Sequence, residues 1–176
     1  MYWRGHVGIA LLAYAPIAAV VRAAGEPELA VLGAAVAVAF ATLPDADHWF
    51  PIPHRGPTHT VAFAVGVAIA VATTTAAVLT VFAGGVTVDG PMAGGVTPLF
   101  PVIPLFVGGV AFTSVCSHLA GDAITPMGIR PLRPVSEAHV TLNLTPAKDP
   151  WANRLFFGVG VVALALALGV STGTPV

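Results

Sequence analysis

Charged side chains are scarce in this chain. Its 176 residues include seven basic and eight acidic side chains, so that 9% are charged, against roughly 25% in a typical soluble domain. A water-soluble globule of this size needs more polar surface than these side chains supply. Because 56% of the residues are apolar and the mean hydropathy is +0.88, most of the apolar surface must face lipid. The composition excludes a soluble domain and predicts a membrane protein with the lipid bilayer as its partner.

Three further absences narrow the function. The formal charge of −1 lacks the basic excess that nucleic-acid binding requires, so we expect no nucleic-acid partner. No polar or charge-rich block is present to form a long disordered tail. The single cysteine, Cys116, excludes an internal disulfide and leaves the redox compartment undetermined.

Long runs without charge locate the membrane spans, because a hydrocarbon core needs about 20 apolar helical residues. Three runs are amply long, whereas those at 7–21 and 29–43 are marginal. These two are either tilted or short spanning helices, or a hairpin that enters and leaves on one side. We therefore predict an all-α, polytopic membrane helical bundle of about five spans in one membrane-embedded domain. The predicted spans lie near residues 7–22, 29–43, 60–83, 99–120 and 154–171, and a long loop covers 121–153.

Local patterns add three expectations. Small residues such as Gly108 and Gly109 favour close helix packing. The alternation at 140–144 is typical of one strand of a small hairpin. The N-terminal run also resembles a signal peptide, but Arg22 lies where a cleavage region is small and neutral, which favours a retained span.

The basic residues predict which side of the membrane each loop occupies. With five spans, the N-terminus and the loops at 44–59 and 121–153 share one side. That side holds six of the seven basic residues, and the other side holds Arg22 alone. Positively charged loops stay in the cytoplasm, so we expect an inner-membrane protein with these loops facing the cytoplasm.

Histidine and aspartate are concentrated at the cytoplasmic ends of the predicted spans. Five of the six histidines and three of the five aspartates fall in three short segments. Ionisable groups at the edge of a membrane are costly and are candidates for a functional site. The clustered residues are His6; Asp45, Asp47, His48, His54 and His59; and His118 and Asp122.

Two of these segments have the spacing of metal ligands. His118 and Asp122 are four residues apart, so on a helix they share one face and are able to grip one ion. Asp45 and Asp47 follow Pro44, and we expect an extended segment there that presents both carboxylates to one side. Like charges that close need a cation between them, or one must hold its proton. The alternative for His118 and Asp122 is local capping of the helix end, and the alternative for Asp45 and Asp47 is a solvated acidic turn.

The segment HRGPTH at 54–59 adds donors for an anion. Thr58 or Thr60 is a candidate N-cap, which would place His59 in the first turn of the third span. Arg55 offers a planar donor fork suited to phosphate or carboxylate, and anchoring at the interface is its alternative role. His54 is a candidate for ligand, acid–base group or plain loop residue.

The order of these motifs resembles a known family. LPDADH at 43–48, HRGPTH at 54–59 and HLAGDAITPMG at 118–128 are together similar to the YdjM-type family of membrane-bound, metal-dependent hydrolases. That family in turn looks like a distant relative of zinc-dependent phospholipase C and the single-strand nucleases of the same helical fold. The resemblance covers roughly residues 6–136.

The resemblance implies a particular ligand arrangement. Asp47, His59, His118 and Asp122 would hold one ion, Asp122 would bridge to a second ion, and His6 would help to bind the second. The soluble enzymes have further His and Glu ligands downstream, whereas this chain offers only Glu137 and His139 after Asp122. The expectation is therefore one or two divalent ions, with zinc as the expected metal.

These residues together predict metal-assisted hydrolysis of a phosphoester or lipid-linked substrate. The metal ligands would be His6, Asp45, Asp47, His59, His118 and Asp122, with Asp45 or Asp47 as the catalytic base and Arg55 and His54 binding the substrate. An ion transporter is the main alternative, although it predicts ionisable residues near the midplane of several spans. A metal that only fastens helix ends is the third possibility.

Overall fold

The computed structural model describes residues 1–84 and 99–169, and these fold into α-helices. Within them the secondary structure is helical apart from turns and an isolated bridge between Ile129 and Val140. The predicted all-α class is confirmed. The helices are α1 (Trp3–Ala23), α2 (Pro27–Phe40), α3 (Val61–Gly84), α4 (Leu99–Ala123) and α5 (Pro150–Gly169), and 3-10 helices cover Leu43–Trp49 and Pro57–His59.

The five predicted spans correspond to five helical segments long and apolar enough to cross a membrane. With 21 residues, α1 measures about 31 Å and is long enough to cross fully. With 14 residues, α2 measures only about 21 Å, and its candidate span, Pro27–Trp49, includes the 3-10 helix that follows. Residues 170 and 171 of the fifth predicted span lie outside the described residues.

One end of the bundle gathers the segments that carry His and Asp within the described residues. The N-terminal ends of α1, α3 and α5 and the C-terminal ends of α2 and α4 meet there. The loop after α4 folds back over this end, since Val61 N donates to Pro131 O at 2.9 Å and Leu142 N donates to Ala123 O at 2.7 Å. The prediction of a strand at 140–144 is wrong. Val140 forms an isolated bridge with Ile129, and the amides of Leu142 and Leu144 donate to carbonyls at the end of α4 and just after it.

Glycines set the closest helix contacts. A methyl group on Gly160 of α5 would overlap the carbonyl oxygen of Gly8 on α1, and one on Gly108 would lie 2.7 Å from Ala68 O. Close packing at Gly108 is thus confirmed, whereas Gly109 faces open space. The crossing of α1 and α5, which positions the N-terminal end of α1 in the site, depends on two glycines that the sequence did not single out.

We expect Gly160→Ala to destabilise the bundle by about 1–3 kcal/mol, because the methyl group forces the α1 and α5 backbones apart. Gly158→Ala on the same helix is the matched control, since nothing lies within 4 Å of the added methyl group. Alanine is the better helix former, so this control should unfold no more easily than the wild type. Denaturant unfolding in detergent measures both, and equal destabilisation would contradict the close crossing.

Candidate metal centre

Four side chains from three parts of the chain converge on one buried point. Asp45 comes from the 3-10 helix after α2, His59 from the turn before α3, and His118 and Asp122 from successive turns of α4. One potential ligand atom from each lies within 4.8 Å of all the others. His59, His118 and Asp122 are buried, and Asp45 is 24% exposed.

The separations of these atoms suit a single four-coordinate ion. The two Nε2 atoms of His59 and His118 are 3.3 Å apart. Asp122 Oδ2 lies 3.3 and 3.6 Å from these nitrogens, and Asp45 Oδ1 lies 3.5 Å from each. Ligands at about 2.1 Å from a tetrahedral zinc ion are separated by roughly 3.4 Å. The group therefore fits an ion of that size with little rearrangement.

Hydrogen bonds on the far side of each imidazole orient it toward this point. His118 Nδ1 lies 2.8 Å from Ala41 O. A carbonyl only accepts, so Nδ1 carries the proton. His59 Nδ1 lies 3.0 Å from Thr58 Oγ1, and that hydroxyl donates to Asp47 Oδ2 at 3.2 Å. In the neutral imidazoles both Nε2 lone pairs then face the convergence point, as metal-binding histidines require.

His59 also shows that the site attracts positive charge. Burial acts to lower its pKa, but the adjacent carboxylates of Asp122 and Asp45 outweigh burial and raise the pKa above 6.5. Two protonated imidazoles would repel one another at the 3.3 Å that separates His59 from His118. A single cation shared by both rings avoids this repulsion.

Several buried polar atoms here make no hydrogen bond within the described residues. They include both ring nitrogens of His6 and Oδ2 of Asp122. Buried polar atoms are nearly always paired, and an unpaired one costs about 1–3 kcal/mol. His6 stacks on His118 with ring centroids 3.7 Å apart, and its Nε2 is 3.6 Å from Asp122 Oδ1 and 3.8 Å from Asp45 Oδ2. His6 therefore lies beside the four-atom group without belonging to it.

Asp47 lies behind His59. The segment after Pro44 is a 3-10 helix, Leu43–Trp49, so the expected extended conformation is wrong. With about three residues per turn, Asp45 and Asp47 leave the backbone in different directions. Asp47 accepts hydrogen bonds from Thr58 Oγ1 and from the Arg55 amide and lies 3.4 Å from His59 Nδ1. The structure thus brings Asp45 to the buried group and leaves Asp47 to support His59.

Thr60 caps α3, since its hydroxyl accepts from Phe63 N at 3.1 Å. This confirms one of the two candidate caps. The expected position of His59 in the first helical turn is wrong, because His59 ends the 3-10 helix Pro57–His59 just before the cap. The extended backbone at Thr60 lets the His59 ring point back to α4.

Arg55 connects the ligand group to the loop after α4. Its Nη2 donates to Asp122 Oδ1 at 2.7 Å, and its Nη1 donates to Gly128 O at 2.8 Å and to Thr125 Oγ1 at 3.2 Å. Its backbone has a φ of 57°, which is unusual for a residue with a side chain. That conformation lets the amide bind Asp47 while the side chain reaches Asp122.

His54 lies at the open edge of the site, 38% exposed, with Nδ1 3.1 Å from Asp47 Oδ1 and its ring stacked on His48. Next to it is a cavity of about 250 Å³. Basic side chains at its wall are His54, Arg55, Arg130, Arg133 and His139.

Sequence reasoning missed the supporting groups. Thr125 and the carbonyl of Ala41 carry no motif that marks them, and Thr58 was considered only as a cap. Arg130 and Arg133 were considered only as markers of the cytoplasmic side. His139, one of the two candidate residues after Asp122, hydrogen-bonds to Met127 O at 2.9 Å and lies outside the ligand group.

The fold and this group define a class, a polytopic helical membrane protein with a buried His and Asp cluster at one end. The family model of the YdjM inner membrane protein matches residues 1–174, and the chain belongs to that family. The resemblance read from the motifs is thus confirmed at the level of the family. Neither a curated protein nor a solved structure matches the chain.

We expect the protein, purified in detergent without chelator, to retain at least one divalent transition-metal ion per chain. The double variant His118→Ala, Asp122→Ala should lose the buried ion, because two of four ligands are gone. His139→Ala, which removes an imidazole outside the group, is the control and should keep the wild-type content. Elemental analysis measures all three. A metal-free wild type, or a double variant with unchanged content, would contradict the site.

Proposed function

We propose that this protein is a membrane-bound, metal-dependent hydrolase of a phosphoester or lipid-linked substrate. One observation carries the proposal: two imidazole nitrogens and two carboxylate oxygens face one another at 3.3–3.6 Å in a buried site. A cation shared by these four groups would offset the cost of burying them together. Asp45, His59, His118 and Asp122 would hold the ion, and zinc suits this donor set.

A bound divalent ion would supply Lewis-acid activation of water and of a phosphoryl oxygen. The chain itself must supply a proton acceptor, and Asp45 is the better placed of the two predicted bases. It borders a cavity of about 400 Å³ together with Thr42 and His48. Asp47 Oδ2 already accepts hydrogen bonds from the Thr58 hydroxyl and the Arg55 amide. A carboxylate oxygen of Asp45 would take the proton from water in that cavity.

The basic cavity supports an anionic substrate group. Arg55 holds Asp122 and also lines this cavity, so it would link the metal ligands to a bound phosphate. His54 borders the same space. An anion there would lie beside the guanidinium groups of Arg55, Arg130 and Arg133.

An apolar cavity next to it supports a lipid-linked substrate. This cavity measures about 700 Å³, is lined mainly by apolar atoms of Pro57, Ala62, Phe63 and Pro134, and shares Arg133 with the basic cavity. It lies along the first turn of α3, at the edge of a candidate span. The phosphate of an amphiphile would occupy the basic cavity while its chain lies along α3.

We expect Arg55→Ala to reduce hydrolysis of phospholipid or soluble phosphoester substrates by about 10²–10³-fold with the metal retained, because a positioned donor to the developing charge is lost. Arg154→Ala is the matched control, since that guanidinium lies over Trp151 on α5. Phosphate release and metal content are measured on the same samples. A metal-loaded wild type that hydrolyses none of these esters, or that only moves ions into vesicles, would contradict the hydrolase and favour a structural metal or a transporter.

The site would face the cytoplasm, as the distribution of basic residues indicates. Glu26 in the α1–α2 turn and Glu137 in the loop after α4 are both exposed and lie at opposite ends of the bundle. In a Cys116→Ala background, we expect Glu26→Cys to react with an impermeant maleimide on intact cells. Glu137→Cys should react only after the membrane is opened. Reaction of Glu137→Cys from outside would overturn the cytoplasmic placement.

A further inference from the structure

We propose a second divalent-cation site, formed by Asp45, Asp47, His48 and His54, which shares Asp45 with the buried group. It deepens the proposed function, on which it rests, by naming the ligands of a second ion. One potential ligand atom of each of these residues lies within 4.8 Å of all the others. Since Asp45 belongs to both groups, its carboxylate would bridge two ions, and its role as proton acceptor would then belong to the protein with a single bound ion.

The four side chains at this position lie close to one another. His54 Nδ1 lies 3.1 Å from Asp47 Oδ1, which is about the separation of two neighbouring ligands on one ion with bonds of roughly 2.1 Å. The rings of His48 and His54 stack with centroids 4.2 Å apart and planes inclined by 25°. Two imidazoles are thus held side by side next to two carboxylates.

The charges around this group favour a cation. Arg55 is the nearest guanidinium, but its Nη atoms bind Asp122, Thr125 and Gly128. Asp45 and Asp47 therefore face His48 and His54 without an arginine between them. An ion of charge +2 there would face the carboxylate of Asp47 and the shared carboxylate of Asp45, and a donor set of imidazole and carboxylate suits zinc, manganese or cobalt.

The hydrogen bonds of Asp122 favour Asp45 as the bridge. A bridging carboxylate needs both oxygens free, and Asp122 Oδ1 is held by Arg55 at 2.7 Å. The resemblance to phospholipase C implies a bridge through Asp122 instead. Asp45 lies on the partly exposed side, where it and His48 border the 400 Å³ cavity. The second ion would therefore be the more accessible and the more weakly held of the two.

The test counts ions bound by chelator-stripped, detergent-purified protein dialysed against zinc. We expect about two ions per chain in the wild type and about one in the double variant His48→Gln, His54→Gln. His139→Gln is the matched control and should bind as many as the wild type. If the double variant retains one ion, that ion shows that the variant protein remains folded.

Manganese loading then tests the bridge. Electron paramagnetic resonance should give the spectrum of an exchange-coupled pair in the wild type and of an isolated ion in the double variant. About one ion in the saturated wild type, or two in the double variant, would overturn the second site while leaving a one-ion hydrolase intact. Two uncoupled ions would overturn the bridge, and a wild type that binds none would contradict the proposed function as well.

Discussion

The arrangement of the His and Asp site is governed by the cost of burying ionisable groups where water is scarce. Asp122, His118 and His59 are buried with almost no exposure, and the ring nitrogens of His6 lack hydrogen bonds among the described residues. Each uncompensated group of this kind disfavours folding. Contacts with Arg55, Thr58 and Asp47 reduce that cost for the outer atoms of these side chains. The ring nitrogens and carboxylate oxygens at the centre remain directed toward one another. The proposed cation would offset the cost that remains at the centre.

The packing of α1 against α5 and α2 positions the side chains of the site. Glycines let α1 approach α5 closely, and this fixes the end of α1 that carries His6. Tyr14, buried in the apolar interior of the bundle, donates to Ala30 O at 2.9 Å and ties α1 to α2. Since α2 leads directly into the segment of Asp45, a shift of α2 along α1 would move a ligand.

Much of the fold and the neighbourhood of the site could be predicted from the sequence. Charge-free runs locate helices, and the ends of those helices carry His6, His59 and His118, so their meeting follows from the alternation of spans. The choice between Asp45 and Asp47 could not be predicted, because it depends on whether the chain after Pro44 is extended or a 3-10 helix. Nor does any spacing indicate that Arg55 contacts Asp122, since 67 residues separate them and the loop after α4 holds the guanidinium.

The C-terminal end of α2 supplies a hydrogen-bond acceptor to the site. In a continuing α-helix the amide of Asp45 would donate to Ala41 O, but it donates to Thr42 O at 3.1 Å instead. Ala41 O is thereby released to accept from His118. Pro44 has no N–H to donate to Phe40 O, so α2 ends at Phe40, and the carbonyl of Ala41 just beyond it serves a ring on another helix. The end of α2 thus determines which ring nitrogen of His118 carries the proton, because Ala41 O accepts a hydrogen bond from Nδ1.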